Sequence, residues 1–323
     1  MKLRLERWNL AAVLICLLPT CAVAQAYPEK AVQIIVPFPA GATLDAVVRM
    51  VGERMAEGLK QSVVVENKTG ASGIIGLSAA AKSAPDGYTM VSVSNSFAAN
   101  PILRKDLPFD AARDFAPVAF IGATPHVLAV NPSVTANTVK ELVEQARQRP
   151  GGLSYGSGGA GTISHFAGEL LKSAAGIDLV HVPFRGQGPA LTATLSSSVT
   201  MTFGNMPEVM PHARAGKLKA IAIATSVRSA LAPQLPTIAE AGYPSVTSES
   251  WYGFMVPGRT PPELVKRLNA EVNRALAHPE LRARLVAQGL EPGGGSTEDF
   301  AAYLRQKSAE YARIIKEANI RAE

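Results

Sequence analysis

From Val32 onward, short apolar runs alternate with longer stretches in which apolar residues recur every three or four positions. The first run, Val32-Gln33-Ile34-Ile35-Val36, is rich in β-branched residues and predicts a buried parallel strand. It breaks at Pro37-Phe38-Pro39-Ala40-Gly41. Leu44, Val47, Val48, Val51, Met55 and Leu59 then share one helical face, with Arg49, Glu53 and Arg54 opposite. Val63–Val65 predicts a second strand, followed by the glycine turn Gly70–Gly73, a short helix through Ala79–Ala81 and the turn Pro85-Asp86-Gly87. Thr89–Val93 predicts a third strand, ending in Ser94-Asn95-Ser96.

The same alternation returns further on. Phe120 to Val130 predicts strands crossing to a second lobe, where Val139–Arg147 is helical and Leu153–Tyr155 is a strand. A glycine-rich loop, Gly156 to Gly161, leads into a helix carrying Ile163, Phe166, Leu170 and Leu171 that stops at Gly176. Strands fit Leu179–Val182, Val199–Phe203 and Leu218–Ala224, and Ser245–Val256 predicts the return crossing. Pro262 opens one late helix, a position proline tolerates. Ser296 with Asp299 forms a capping box for the last, which runs to about Ala318. A chain of 323 residues exceeds what one hydrophobic core supports. The expectation is an α/β protein of two lobes, residues 27–126 with 252–323 and residues 127–251, each around a mainly parallel sheet.

The first 26 residues stand outside this alternation. Lys2, Arg4 and Arg7 precede the apolar stretch Leu10–Leu18, and Ala22-Val23-Ala24 and Ala24-Gln25-Ala26 offer A-x-A cleavage sites. This predicts a signal peptide at 1–26, cut after Ala24 or Ala26, and export to the periplasm. The apolar stretch is about half of what a membrane span needs. Leu18-Pro19-Thr20-Cys21 fits a lipoprotein box poorly because Thr precedes the Cys. Cleavage removes Cys16 and Cys21, leaving no thiol for a disulfide, a nucleophile or a metal. It also takes three bases and one acid, so the net charge falls from +6 to +4. That mild excess suits an anion, and no basic run with interleaved aromatics points to nucleic acid. The five histidines show no metal-ligand spacing, and no cofactor is called for.

Two segments repeat one device. Val32–Val36 feeds Phe38, Ala40, Gly41 and Ala42 into a helix, and Leu153–Tyr155 feeds Ser157 through Gly161 and Thr162 into another. Helix starts leave backbone amides unpaired where partial positive charge collects, so each loop can cradle an anion. The plain alternative is a tight turn with N-caps at Thr43 and Thr162. Gly156, Gly158 and Gly161 also match G-x-G-x-x-G, but Asp178 precedes the next strand instead of ending it. Gly152 to Gly156 matches G-x-S-x-G, but Ser154 falls inside a strand with no helix directly after it. Ser94, Asn95 and Asn205 at strand ends either donate to a ligand or cap their loops. Arg185 either forks onto a carboxylate or is a solvated loop charge. His165, in the first turn of its helix, is a cap or packing residue in one reading and a base in the other, and an exported hydrolase using it with Ser154, Ser157 or Ser164 is the catalytic alternative.

With these residues laid out, the chain resembles the Bug family, the TctC-like receptors of tripartite tricarboxylate transporters. The likeness rests on Tyr27-Pro28-Glu29-Lys30, on Ile35 to Gly41 with Asp45 and Arg49, and on Glu66 to Ala71 and Ala84 to Thr89. It continues through Gly156 to Thr162 with His165, Val182 to Gly186, Pro236 to Gly242 and Trp251-Tyr252-Gly253. The resemblance implies a type II periplasmic binding fold (a Venus flytrap) and no enzyme. It implies a small mono- or dicarboxylate, aliphatic or aromatic, held between loops starting at Phe38 and Ser157, and transporter membrane subunits as partners. A ligand-sensing receptor feeding a signalling partner would share that site. The chain itself is expected to be a monomer. Three departures concern the ligand: Ala42 where the family has a second glycine, Arg185 where it has Lys, and Ala193 to Ser197 where it has an Asp and a Gly-Gly pair.

Overall fold

The computed structural model describes residues 27–318 and 320, so the expected leader lies outside the described residues. The chain opens with β1 (Val32–Val36), α1 (Thr43–Leu59) and β2 (Val63–Asn67), then a 3-10 turn at Ala71–Gly73 and α2 (Ile74–Ala81). β3 (Thr89–Ser94) passes directly into α3 (Asn95–Leu103), and the long β4 (Phe115–Val130) follows. Next come α4 (Val139–Gln148), β5 (Ser154–Ser157), α5 (Ile163–Ala175), β6 (Val180–Pro183) and α6 (Gln187–Leu195). β7 (Met201–Asn205) runs straight into α7 (Met206–Arg214), and β8 (Lys219–Ile223) and β9 (Glu249–Pro257) complete the crossings. The chain ends with α8 (Pro262–Ala277), α9 (Pro279–Ala287), β10 (Glu291–Pro292) and α10 (Thr297–Glu317).

β1 is apolar almost throughout because both of its faces are covered. Val32, Ile34 and Val36 join Val47, Val51 and Met55 of α1 and Leu268 of α8 in one core. Ile35 joins Leu77 of α2, Phe97 of α3 and Phe300 of α10 in another. Each such fully buried side chain contributes roughly 1.5–3 kcal/mol, so an acid at Val51, which has no exposed surface, would unseat α1. α10 starts as its sequence predicts: Ser296 accepts from Asp299 N, and Asp299 accepts from Ser296 N.

Eight of the ten strands form one path, β2-β1-β3-β9-β4-β7-β5-β6, with β8 and β10 pairing beside it on β4, which belongs to both halves. Phe115 to Pro125 pairs with β9, whereas His126 to Val130 pairs with β7 and β8. The directions of pairing fix what faces what. β1, β2 and β3 are mutually parallel, β9 runs against β3, and β4 runs against β9. The first-half strands therefore point the way β4 points, toward the second half. β7 runs against β4, with β5 and β6 parallel to it, so these three point back. The carboxyl ends of the two parallel sets confront each other across the hand-over. Ser94 lies opposite Tyr252, which lies opposite Gly122, and Asn205 lies opposite His126. Four residues of strand separate Gly122 from His126, about 13 Å.

Candidate functional site

In open α/β sheets, ligands bind outside the carboxyl ends of parallel strands, and here two such sets of strand ends point toward each other. In the first, β1 ends at Val36 and the chain turns through Pro39 to Ala42, with Ala42 N donating to Pro39 O at 3.2 Å. Gly41 holds φ +82, a left-handed value that glycine reaches without strain. The helix N-cap is Ala42, not Thr43, and alanine supplies no side-chain cap. Its φ of −66 and ψ of 156 are ordinary extended values, so the alanine in place of the family's usual glycine leaves the turn unaltered. Gly41 N donates to Asp45 Oδ2 at 2.9 Å. With the Gly41 and Ala42 amides occupied, those of Thr43 and Leu44 meet no protein acceptor among the described residues.

Asp45 is 3% exposed. Burial alone would raise its carboxyl pKa, but hydrogen bonds from Arg49, Gly41 and Asn67 outweigh that and hold it below the usual range. Arg49 Nε lies 3.1 Å from both carboxylate oxygens. Asn67 Nδ2, at the end of β2, donates to Asp45 Oδ1 and to Phe38 O. Asp45, expected as a ligand contact, thus braces the loop through these bonds.

The second edge repeats this geometry with other residues. Thr162 N donates to Gly159 O at 3.3 Å, Gly161 holds φ +74, and Thr162 is the N-cap. Its hydroxyl donates to Gly159 O at 2.7 Å and does not cap the helix. Gly161 N donates to His165 Nδ1 at 3.0 Å, which leaves the Ile163 and Ser164 amides open among the described residues. The upper loop is more occupied than its glycines suggest: Gly158 N donates to Ser164 Oγ and Gly159 N to Ser157 Oγ. Ser157 is fully buried and its Oγ meets His181 Nε2 at 2.6 Å. The expected open amides therefore sit at the helix starts and not along the whole glycine run.

His165 and His181 stack with centroids 3.9 Å apart and planes 5° from parallel, and His181 stacks in turn on Tyr155. Burial, with His181 beside it, pushes the His165 pKa down to about 4, so the ring is neutral at pH 7 and Nδ1 accepts. Ser154 lies at the far, amino end of β5, where it exchanges backbone and hydroxyl bonds with Thr200.

The remaining candidates divide. Ser94 is the half-buried N-cap of α3 and makes no side-chain cap bond. Asn95, expected as a ligand donor, stitches neighbouring elements together: its Nδ2 reaches Glu249 O and Tyr311 OH, and its Oδ1 accepts from Trp251 N. Asn205 stands at the N-cap position of α7 without a side-chain cap bond and donates to Glu208 Oε1 at 2.9 Å, while Glu208 Oε2 is buried without a partner among the described residues. Burial raises the Glu208 pKa. Arg185 is exposed, on a loop whose neighbours Phe184 and Gly186 pack against Gly158 and Gly159. Sequence reading missed His126, which crosses between halves with Nδ1 2.9 Å from Ser248 Oγ and Nε2 3.1 Å from Ser250 Oγ. It also missed Asn67 and His181, which lie on neighbouring strands and carry no local signal. Among the described residues, no cluster of His, Cys, Asp or Glu could hold a metal, and no helix is long and apolar enough to cross a membrane.

Residues 47–320 match the family model described as the tripartite tricarboxylate transporter family receptor. Protein BugT of Bordetella pertussis is 34% identical over 296 residues, which is 91% of each chain. A solved structure described as a periplasmic transporter is 41% identical with a TM-score of 0.81, covering 92% of this chain and 99% of the other. Another, Rpa4515 of R. palustris with adipate, is 35% identical with a TM-score of 0.82, covering 91% and 99%.

Proposed function

The chain belongs to the receptor family of tripartite tricarboxylate transporters, and we propose that it captures a small mono- or dicarboxylate, aliphatic or aromatic, in the cleft between its two sets of strand ends. One observation carries this reading. Each half presents a helix whose first amides are open, beside a glycine turn held in place, and the two parallel sets point at each other. The adipate bound by the R. palustris relative supports the ligand class.

Charge-assisted hydrogen bonds supply roughly 1.5–3 kcal/mol each, and micromolar binding needs about 8 kcal/mol. About three to six of them suffice without covalent chemistry, which supports a receptor and not an enzyme. Residues 27–126 with 252–323 form one lobe and 127–251 the other, hinged where β4 changes partners between Pro125 and His126. Closure buries the ligand and forms the surface that the transporter's membrane subunits read. The mature monomer begins after residue 26 and works in the periplasm, as the relative described as a periplasmic transporter does.

A thermal-shift screen of the mature chain against mono-, di- and tricarboxylates and aromatic acids, followed by calorimetry, tests this. At least one acid is expected to raise the melting temperature and to bind with a micromolar or lower Kd. Failure of every acid at millimolar concentration would overturn the reading.

A further inference from the structure

The two loops share more than a resemblance of sequence, because their turn bonds and backbone angles correspond residue by residue at a constant spacing. Pro39, Ala40, Gly41 and Ala42 correspond to Gly159, Ala160, Gly161 and Thr162. The turn bonds are 3.2 and 3.3 Å, and the first helical bonds, Ala46 N to Ala42 O and Phe166 N to Thr162 O, are both 3.0 Å. The glycines hold φ +82 and +74, and the N-caps hold φ −66, ψ 156 and φ −78, ψ 161. At the third helical position stand two chemically unlike residues, Asp45 and His165, and each accepts the amide of the glycine four residues before it.

The supports behind these two side chains also correspond. Asn67, on the parallel neighbour of β1, binds Asp45 and reaches Phe38 O at the head of the loop. His181, on the parallel neighbour of β5, stacks on His165 and reaches Ser157 Oγ at the head of that loop. In a capping box the third helical residue accepts from the N-cap amide. Here the turn already uses that amide, and the acceptor takes the one before it.

Resting on the reading of the cleft as a carboxylate site, the geometry points to Asp45 and His165 as the matched positioning residues of its two halves. Each is a latch that fixes a glycine amide inward and leaves the first helix amides open to a ligand. What the site requires at this position is an acceptor of the right reach and not a particular residue. A loop locked before binding loses less freedom on capture.

The test exchanges one latch for the other. His165→Asp installs the first half's latch in the second, and Asp45→Asn keeps an acceptor without the charge. His165→Leu and Asp45→Leu fill similar space and accept nothing. Affinity is read by calorimetry on the full mature chain, using the tightest binder among adipate, benzoate and citrate. Amide exchange at Gly41 and Gly161 is read by NMR without ligand. Each leucine variant is expected to weaken binding about 10- to 100-fold, the range of one charge-assisted hydrogen bond, and to accelerate exchange at its own glycine alone. His165→Asp and Asp45→Asn are expected to stay within about threefold of the parent, and in the smaller His165→Asp side chain this is a rescue that a space-filling role would not produce.

Leucine variants that bind like the parent, or a His165→Asp protein no better than His165→Leu, would overturn the proposal. Unchanged exchange at Gly161 in His165→Leu would do so as well. Should a leucine variant not fold, His165→Asp still decides, because a role that only fills space predicts weak binding in it, and glycine amide exchange reads the latch in Asp45→Asn. Should none of the three acids bind the parent, the carboxylate reading fails, while the exchange rates judge the latches independently.

Discussion

The two cradles have nearly the same backbone and almost no side chains in common. The first is open: Pro39, Ala40 and Gly41 are exposed, and a Cβ built on Gly41 meets nothing within 4 Å. Its latch is a charged carboxylate balanced by Arg49. The second is packed: Ser157 is buried, the latch is a neutral histidine in a three-ring stack, and a Cβ on Gly161 would lie 2.7 Å from Leu103 Cδ1 of α3. The repeated feature is thus the direction of a few amides, and each half reaches it with the chemistry its surroundings allow. The second cradle also touches the opposite half, through Leu103 and through Phe166 against Tyr311 of α10.

That asymmetry breaks most visibly at the glycines. Gly161→Val combines left-handed backbone strain, about 1–2 kcal/mol, with overpacking against Leu103, about 1–3 kcal/mol. Urea unfolding is expected to show a loss of about 3 kcal/mol, with carboxylate binding abolished. Gly41→Val carries the strain alone and is expected to lose about 1–2 kcal/mol of stability. Adding Leu103→Ala to Gly161→Ala would restore the packing share only in the second half. Equal losses at the two glycines would mean that the cradles are packed alike.

Acid separates the latches next. His165 titrates near 4 in the folded protein against 6.5 in a solvated chain, so the unfolded state binds its proton first. Stability is expected to fall as pH drops from 6.5 toward 4, by at most about 1.4 kcal/mol per pH unit for each such histidine. His126, lowered to about 4 mainly by burial, contributes over the same window. Hydrogen bonds from Arg49, Gly41 and Asn67 outweigh burial and hold Asp45 below the usual carboxylate range, so its contribution persists until the pH falls through that range. His165→Asn, which keeps an acceptor and does not titrate, is expected to shallow the slope between pH 6.5 and 4 by about half. An unchanged slope would place the titration elsewhere.

The reach of the sequence follows from what each element needs. β1 and α1 were legible because burial on two faces or on one stripe leaves a period in the chain. The capping box at Ser296 was legible because its chemistry is local. α3 and α7 were not, since each begins directly after the last residue of a strand, with no intervening link to mark the change. The two glycine loops announced themselves, but the residues that fix them are distant: Asn67 and His181 act from adjacent strands. Asn95 misled because a polar residue at a strand end looks the same whether it faces a ligand or, as here, Trp251 and Tyr311.

The smallest contrast lies at the N-caps themselves. Ala42 and Thr162 hold equivalent extended conformations, so neither needs glycine's freedom, and neither side chain covers the open amides. Ala42→Gly, which restores the family's usual residue, is expected to leave affinity within about twofold and to lower stability by under 1 kcal/mol through the looser unfolded chain. Thr162→Ala removes a hydroxyl that braces Gly159 O and is expected to lose about 1 kcal/mol, measured by urea unfolding beside the parent. Affinity is expected to change little, because alanine already serves at this position in the other half. A large loss of binding in Thr162→Ala with no loss of stability would show instead that the threonine hydroxyl reaches the ligand, and that the two halves divide recognition between main chain and side chain.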